Sequence, residues 1–271
     1  MAITICKYEA AGNAYIVTNL EFKNFQPELA TKLCHPVFGI GGDGVVNWQK
    51  SENGFKVLIF NPDGSLAEKS GNGLRILAAH LFNNIVPNHS KINLKTGVGN
   101  VAASKDQNGK IVLEMGQVVS LFEQEPLAIS SIFPHGIRLE LENTSISGYP
   151  VSIGNPHFVI VTDSIGSNKV KELGPQIENH SLFPNRVNVQ FVTPTGRSSA
   201  RAHIWERGAG YTLSSGSSSC AIFAVLHQLD FCDEELSVVT NGGKLHVRRD
   251  ASATLWLRGP VKKVAEGVFL G

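Results

Sequence analysis

The sequence predicts a mixed α/β protein of the α+β kind, built as two pseudo-symmetric, strand-rich domains. Three observations predict it. Short β-branched runs outnumber helical patterns, the two longest helical patterns both open at a serine-glycine turn, and those turns recur at matched positions in the two halves of the chain.

Taken in order, Pro27 to Leu33 carries a short helical pattern, and Gly54 to Phe60 (G-F-K-V-L-I-F) reads as a strand. Asn72 to Asn83 is a helix-like apolar stripe that follows the turn at Ser70 and Gly71. Lys110 to Glu114, His157 to Thr162 and Val187 to Thr193 are strands, each short, β-branched and bounded by Gly, Asn, Pro or Asp. Ser167 to Leu173 and Ser218 to Leu229 are helical, the latter after the turn at Ser215 and Gly216, and Thr254 to Arg258 is a late strand. This order is not the regular alternation of a doubly wound parallel sheet.

The repeat has three ordered correspondences. Gly12-Asn13, Phe60-Asn61 and Ser70-Gly71 in the first half answer to Gly154-Asn155, Trp205-Glu206 and Ser215-Gly216 in the second, and Asn61 to Ser70 spans the same number of residues as Glu206 to Ser215. The expected domains are 1–116 with 261–271, and 117–260. A helix N-terminus exposes backbone N–H groups without internal partners, and glycine lets a ligand approach them, so each turn favours an anion. Ordinary N-cap serines are the plainer account of either turn alone. The repeated pair, spaced alike from a polar residue, favours two halves of one binding site.

Composition bounds the partner. With 271 residues, 42% hydrophobic, 17% charged and a net charge of +1, the chain can bury a proper core and carries no overall polyelectrolyte character. A small-molecule ligand is expected, with no nucleic acid and no membrane as partners; a homodimer is left open. The N-terminus M-A-I-T-I-C-K-Y has no signal-peptide pattern and no apolar run approaches a membrane span, so the expected location is cytoplasmic. Cys6, Cys34, Cys220 and Cys232 lie far apart with no C-x-x-C pair, so four free, mostly buried thiols are expected and no metal site. Without an export signal the N-x-S matches at Asn88 and Asn143 carry no meaning, and G-I-G-G-D-G lacks the G-K-[ST] ending of a phosphate loop and reads as a tight turn.

The segment N-P-D-G-S-L-A-E-K-S-G-N-G-L-R from Asn61 resembles the diaminopimelate epimerase signature N-A-D-G-S-x-A-E-M-C-G-N-G-x-R. Likewise W-E-R-G-A-G-Y-T-L-S-S-G-S-S-S-C-A from Trp205 resembles its partner, Y-E-R-G-A-G-E-T-x-A-C-G-T-G-A-C-A. Further matches at Gly12, Phe38, Gly154, Asn188 and Gly259 extend the resemblance over the whole chain.

The resemblance implies two pseudo-symmetric domains, each wrapping a central helix. It also implies an isomerase that interconverts LL- and meso-diaminopimelate, a step of lysine biosynthesis, without pyridoxal phosphate, metal or other cofactor. In that family one cysteine thiolate removes the α-proton from one face and an opposing thiol protonates the other. Here both positions are serine, Ser70 and Ser215. A cysteine, with a pKa of roughly 8.5 lowered at a helix N-terminus, suits the task, and a serine hydroxyl does not. The chain as written is therefore expected to be inactive in that reaction. Persistence of the other ligand-type residues favours an engineered Cys-to-Ser form over a natural loss of racemisation.

By position, the resemblance gives Gly71 with Asn72, and Gly216 with Ser217, as backbone donors to the substrate carboxylate. Asn13, Asn61, Asn155, Asn188 and Arg207 surround the substrate, Arg207 forking to a distant carboxylate. Glu206 accepts from the ammonium, and His157 sits beside position 70 as an orienting or proton-relaying group. Departures at Ala14, Pro36, Val37 and Tyr211 leave room for a related cofactor-independent racemase, for example of histidine, and a non-catalytic amino-acid-binding protein is the reading from another class.

Overall fold

A computed structural model describes residues 2–67, 70–97, 99–122, 136–164 and 166–271; Glu68 and Lys69 of the first signature segment lie outside the described residues. The chain divides into two compact units, Met1–Glu114 with Arg258–Gly271, and Met115–Leu257.

The first unit opens with an antiparallel pair, β1 (Ile3–Ala10) and β2 (Asn13–Thr18), turned by Ala11 and Gly12, both at positive φ. Helix α1 (Pro27–Cys34) carries the chain to β3 (Gly44–Ser51), which runs parallel to β2 and then turns back as β4 (Gly54–Phe60). Helix α2 (Gly71–Asn84) crosses over to β5 (Lys91–Thr96), parallel to β4 and followed by antiparallel β6 (Gly99–Lys105) and β7 (Ile111–Gly116).

The second unit adds two short strands, β8 (Val119–Ser120) and β9 (Ile137–Glu140), and then repeats the scheme. Strands β10 (Ser145–Ser152) and β11 (Pro156–Val161) pair antiparallel, α3 (Ser167–Glu178) leads to β12 (Asn188–Gly196) parallel to β11, and β13 (Ser199–Glu206) returns antiparallel. After a short β14 (Gly210–Thr212), α4 (Gly216–Gln228) crosses to β15 (Glu235–Thr240), parallel to β13, followed by antiparallel β16 (Gly243–Arg249) and by β17 (Leu255–Arg258). The last strand, β18 (Lys262–Phe269), belongs again to the first unit and pairs antiparallel with β1. The two units thus share one order of antiparallel and parallel pairings, with α2 and α4 in equivalent crossovers, as the sequence repeat predicts.

Helices α1 and α3 close equivalent cores. Leu33 and Ala30 of α1 pack with Ile16, Val45 and Phe60, where the Phe25 and Phe60 rings stack with centroids 4.6 Å apart. Val170, Leu173 and Ile177 of α3 pack with Phe158, Val189 and Phe191, against Trp205. The crossover helices are buried more deeply: α2 hides Leu74, Arg75, Ile76, Leu77, Ala78, Leu81 and Phe82, and α4 hides nearly everything from Gly216 to Leu226.

The predicted strands and helices all appear, with one correction. The sequence pattern ends the third helix at Leu173, whereas α3 continues through Gly174 and Pro175 to Glu178. Proline inside a helix forfeits a backbone hydrogen bond and crowds the residue before it, and glycine at position 174 removes the Cβ part of that crowding. Gly174 also lies flat against Trp205, where an added Cβ would fall 2.5 Å from the indole. The four cysteines are free and buried. Burial pushes the thiols of Cys34 and Cys232 up to about 11 and raises that of Cys6. No described helix is long and apolar enough to cross a membrane.

Gly174→Ala tests this helix-to-strand contact. Overpacking there is expected to cost about 1–3 kcal/mol, read as a lower urea midpoint with the slope unchanged.

Candidate active site

Each crossover helix starts at one of the two singled-out serines. Ser70 is the N-cap of α2, extended at φ −130° and ψ 111°, and its Oγ accepts from the Gly73 N–H at 3.1 Å. Ser215 is the N-cap of α4, at φ −147° and ψ 131°, and its Oγ accepts from the Ser218 N–H at 3.4 Å. The role of the cap is the same in both: a side-chain oxygen satisfies an N–H that the helix leaves unpaired. Gly71 and Asn72, and Gly216 and Ser217, supply the first turns as expected, all of them buried.

Around the first mouth, Asn13 at the start of β2 accepts a short hydrogen bond from the Asn72 amide, whose Oδ1 in turn accepts from buried Arg75 at 2.7 Å. The segment holding Asn13 is locked by a reciprocal clamp. Ala14 N–H donates to Asp43 Oδ2 at 2.7 Å and Asp43 N–H donates to the Ala14 carbonyl at 2.6 Å. This is the job of the G-I-G-G-D-G turn. Asn61 follows β4 in a tight turn, where its amide donates to Ser65 Oγ at 2.9 Å.

The second mouth is wired through a histidine. His157 is wholly buried, with Nε2 3.0 Å from Asn155 Oδ1 and Nδ1 3.0 Å from the Gln190 amide nitrogen, which lies 3.0 Å from Ser218 Oγ. A chain of contacts therefore runs from Asn155 to the first turn of α4. Gln190 as donor makes Nδ1 the acceptor and leaves Nε2–H to hold Asn155, the neutral tautomer. Burial is the main reason its pKa falls to about 3, and the positive charge of Arg207 adds to it. His157 is suited to orienting Asn155 and poorly suited to carrying a proton at neutral pH.

Asn188 ties three segments together: its Nδ2 donates to the Pro156 carbonyl at 2.8 Å and its Oδ1 accepts from Arg207 N–H at 3.0 Å. The Arg207 guanidinium donates to the Asn185 carbonyl at 3.2 Å. Glu206 ends β13, half-buried. Behind this turn Glu178 is buried and accepts from Trp205 Nε1 at 2.7 Å, Gly208 N–H at 2.9 Å and Arg186 at 3.2 Å. Tyr211 turns its hydroxyl to His203 Nδ1 and the Asn241 amide, both at 2.9 Å, with Lys171 over its ring.

Three participants escape a reading by motif. Gln190 and Glu178 are polar residues within apolar patterns, a usable signal. Tyr15 becomes visible only through register: it stands two residues after Asn13 and opposite Gly44, as His157 stands two residues after Asn155 and opposite Asn188. Among the described residues no cluster of His, Cys, Asp and Glu is arranged to hold a metal ion.

The sequence profile of the family described as Diaminopimelate epimerase matches residues 5–121 and 149–264. The chain is 38% identical over 266 residues to "Diaminopimelate epimerase 2" of Nostoc sp. (strain PCC 7120 / SAG 25.82 / UTEX 2576), covering 96% of this chain and 93% of that one. It is 33% identical over 270 residues to the diaminopimelate epimerase of Carboxydothermus hydrogenoformans, covering 97% and 98%. Among solved structures, a hydroxyproline epimerase from Agrobacterium vitis superposes with a TM-score of 0.72 at 14% identity, over 99% of this chain and 91% of that one, a likeness of fold.

Buried His157 makes stability depend on pH. Its folded pKa of about 3 lies below the roughly 6.5 of an exposed histidine, so the unfolded chain binds more protons between those values and stability is lost as pH falls through that window. His80, held down to about 4 mainly by burial, acts in the same direction. The urea midpoint is expected to fall between pH 7 and pH 5, and to fall less in His157→Gln.

Proposed function

We propose, starting from the fact that the chain belongs to the diaminopimelate epimerase family, that it keeps that family's amino-acid-binding apparatus without the two-thiol inversion chemistry. The observation that carries this reading is the pair of serine-capped helix mouths, each with a serine Oγ accepting from a first-turn N–H at the position where the signature has a cysteine. The family is one of epimerases, and relatives and structural neighbours carry epimerase or racemase names. Cofactor-independent inversion needs a base on one face of the α-carbon and an acid on the other. Two alkyl hydroxyls supply neither near neutral pH, and the remaining candidates are poor substitutes. Cys6, Cys34 and Cys232 are raised by burial, and His157 is neutral and engaged at both nitrogens.

The second mouth supports natural divergence over a one-atom replacement. Ser214, Ser217, Ser218 and Ser219 differ from the quoted signature along with Ser215, and the last three of the four are engaged at the mouth: Ser218 Oγ meets Gln190, Ser217 Oγ lies 3.4 Å from Ser215 Oγ, and Ser219 Oγ donates to the Ser215 carbonyl at 2.8 Å. An isolated substitution would not bring these partners with it. This reverses the preference for an engineered form that the sequence alone suggests.

On the ligand, a helix mouth of this kind favours a carboxylate and Arg207 another, so diaminopimelate is the leading substrate class. Tyr211, engaged with His203 and Asn241 in place of a carboxylate, favours as a second reading a racemase-type relative acting on another amino acid, histidine among them. A cytoplasmic location accords with a biosynthetic role.

Solvent deuterium entering the α-position is the direct test. The unmodified chain should leave LL-diaminopimelate unlabelled at neutral pH while binding it. Ser70→Cys with Ser215→Cys should restore exchange, and either single change should not recover full turnover. Robust inversion by the double-serine chain would overturn the reading. Calorimetry should also find lysine, which lacks the second carboxylate, binding more weakly than diaminopimelate by about 2 kcal/mol; equal binding would remove diaminopimelate as the ligand.

A further inference from the structure

We infer that Tyr15 is the positioning residue that sets the proton state of position 70, by donating its phenolic hydrogen to whatever side chain caps α2. The inference deepens the reading above, since it concerns the same helix mouth. Tyr15 Oη lies 3.0 Å from Ser70 Oγ, which also accepts from the Gly73 N–H at 3.1 Å. Among the described residues, Tyr15 is the titratable side chain hydrogen-bonded to Ser70.

The ring is seated by construction. Tyr15 is 7% exposed. It enters β2 from the segment clamped by Ala14 and Asp43, and two glycines on different elements make room for it. A Cβ at Gly44, the first residue of β3, would fall 2.6 Å from Tyr15 Cε1, and one at Gly73, in the first turn of α2, would fall 3.3 Å from the same atom. Gly73 is thus small for the ring and a donor to the cap at once. The phenol reaches the mouth because these elements leave a ring-shaped space that ends at position 70.

The second unit solves the equivalent problem differently. His157, the register counterpart of Tyr15, reaches the first turn of α4 only through Gln190 and meets Ser218, not the cap. The two mouths are therefore chemically unequal. On this inference Ser70 Oγ accepts from both Gly73 N–H and Tyr15 O–H, and the serine's own hydrogen is left to act as a donor and not a base. A sulfur at the same position would receive the same two donors, and hydrogen bonds to an ionised group favour the ionised form. The same phenol thus makes serine a fixed donor and cysteine a thiolate.

The test needs no substrate, so it fails or succeeds independently of the proposed ligand. In Ser70→Cys, alkylation by iodoacetamide across a pH series, read by peptide mass mapping so that the buried native thiols are resolved, gives the thiol pKa. Adding Tyr15→Phe should raise it by about one unit, equivalent to roughly tenfold less thiolate at a pH below both values, whereas the thiol of Ser215→Cys should not respond to Tyr15→Phe. An unchanged pKa at position 70, or equal shifts at both positions, would overturn the inference. A second measurement keeps Tyr15 in place: in a chain labelled at tyrosine Cζ, Ser70→Ala should lower the Tyr15 pKa, because a phenol that donates is held in its protonated form. A rise would mean that serine is the donor, and no change that the contact is idle; either result overturns the inference.

Discussion

A helix buried on every face cannot send the N–H groups of its first turn to water, and this constraint organises both halves of the molecule. Helices α2 and α4 are buried through their first turns, and an unpaired buried N–H costs about 1–3 kcal/mol. A side-chain acceptor at the N-cap is therefore a structural requirement before it is anything else. Serine meets it, and does so with an oxygen among the preferred caps. The position that carries the reactive sulfur in the family signature is thus one that the fold needs filled by a hydrogen-bonding side chain. That is why replacing the thiol leaves the architecture intact.

The cap also fixes what surrounds it. Each crossover helix begins near the starts of two parallel strands, β2 with β3 in one unit and β11 with β12 in the other, so residues at those starts face the mouth by topology. Asn13 reaches Asn72 there, and Asn155 reaches His157. The amides bind neighbouring segments together. Asn188 shows this most clearly, since it joins the β11 entry to the Arg207 turn.

Much of this was legible in the sequence because it rests on short-range chemistry. Gly54 to Phe60 and Val187 to Thr193 are β-branched runs ended by turn residues, and the S-G pairs at Ser70 and Ser215 mark helix starts, so the elements and both mouths could be read directly. The equal spacing of Asn61 to Ser70 and Glu206 to Ser215 exposed the repeat. What stayed hidden depends on partners distant in sequence. The pairing of Tyr15 with Gly44 is settled by strand register, and the fit of Pro175 inside α3 by a glycine that happens to rest on Trp205. Gln190 looked like one residue of an alternating strand, yet its inward direction makes it the link between His157 and Ser218.

The serine set at α4 follows from the same burial constraint. Once a small residue of the first turn becomes a serine with no access to water, its hydroxyl needs a partner inside the protein. Ser218 Oγ accepts from Gln190 and Ser219 Oγ donates to the Ser215 carbonyl, so each of these hydroxyls finds a partner inside the protein. At α2 the same demand falls on a single hydroxyl, met by Gly73 and Tyr15. Two halves with one topology therefore arrive at two different polar environments, because each satisfies its cap with the residues that its own strands bring within reach. Fold similarity alone is silent about chemistry at such a site; what distinguishes this chain from a two-thiol epimerase lies in the atoms at two helix caps and in the hydrogen bonds that hold them.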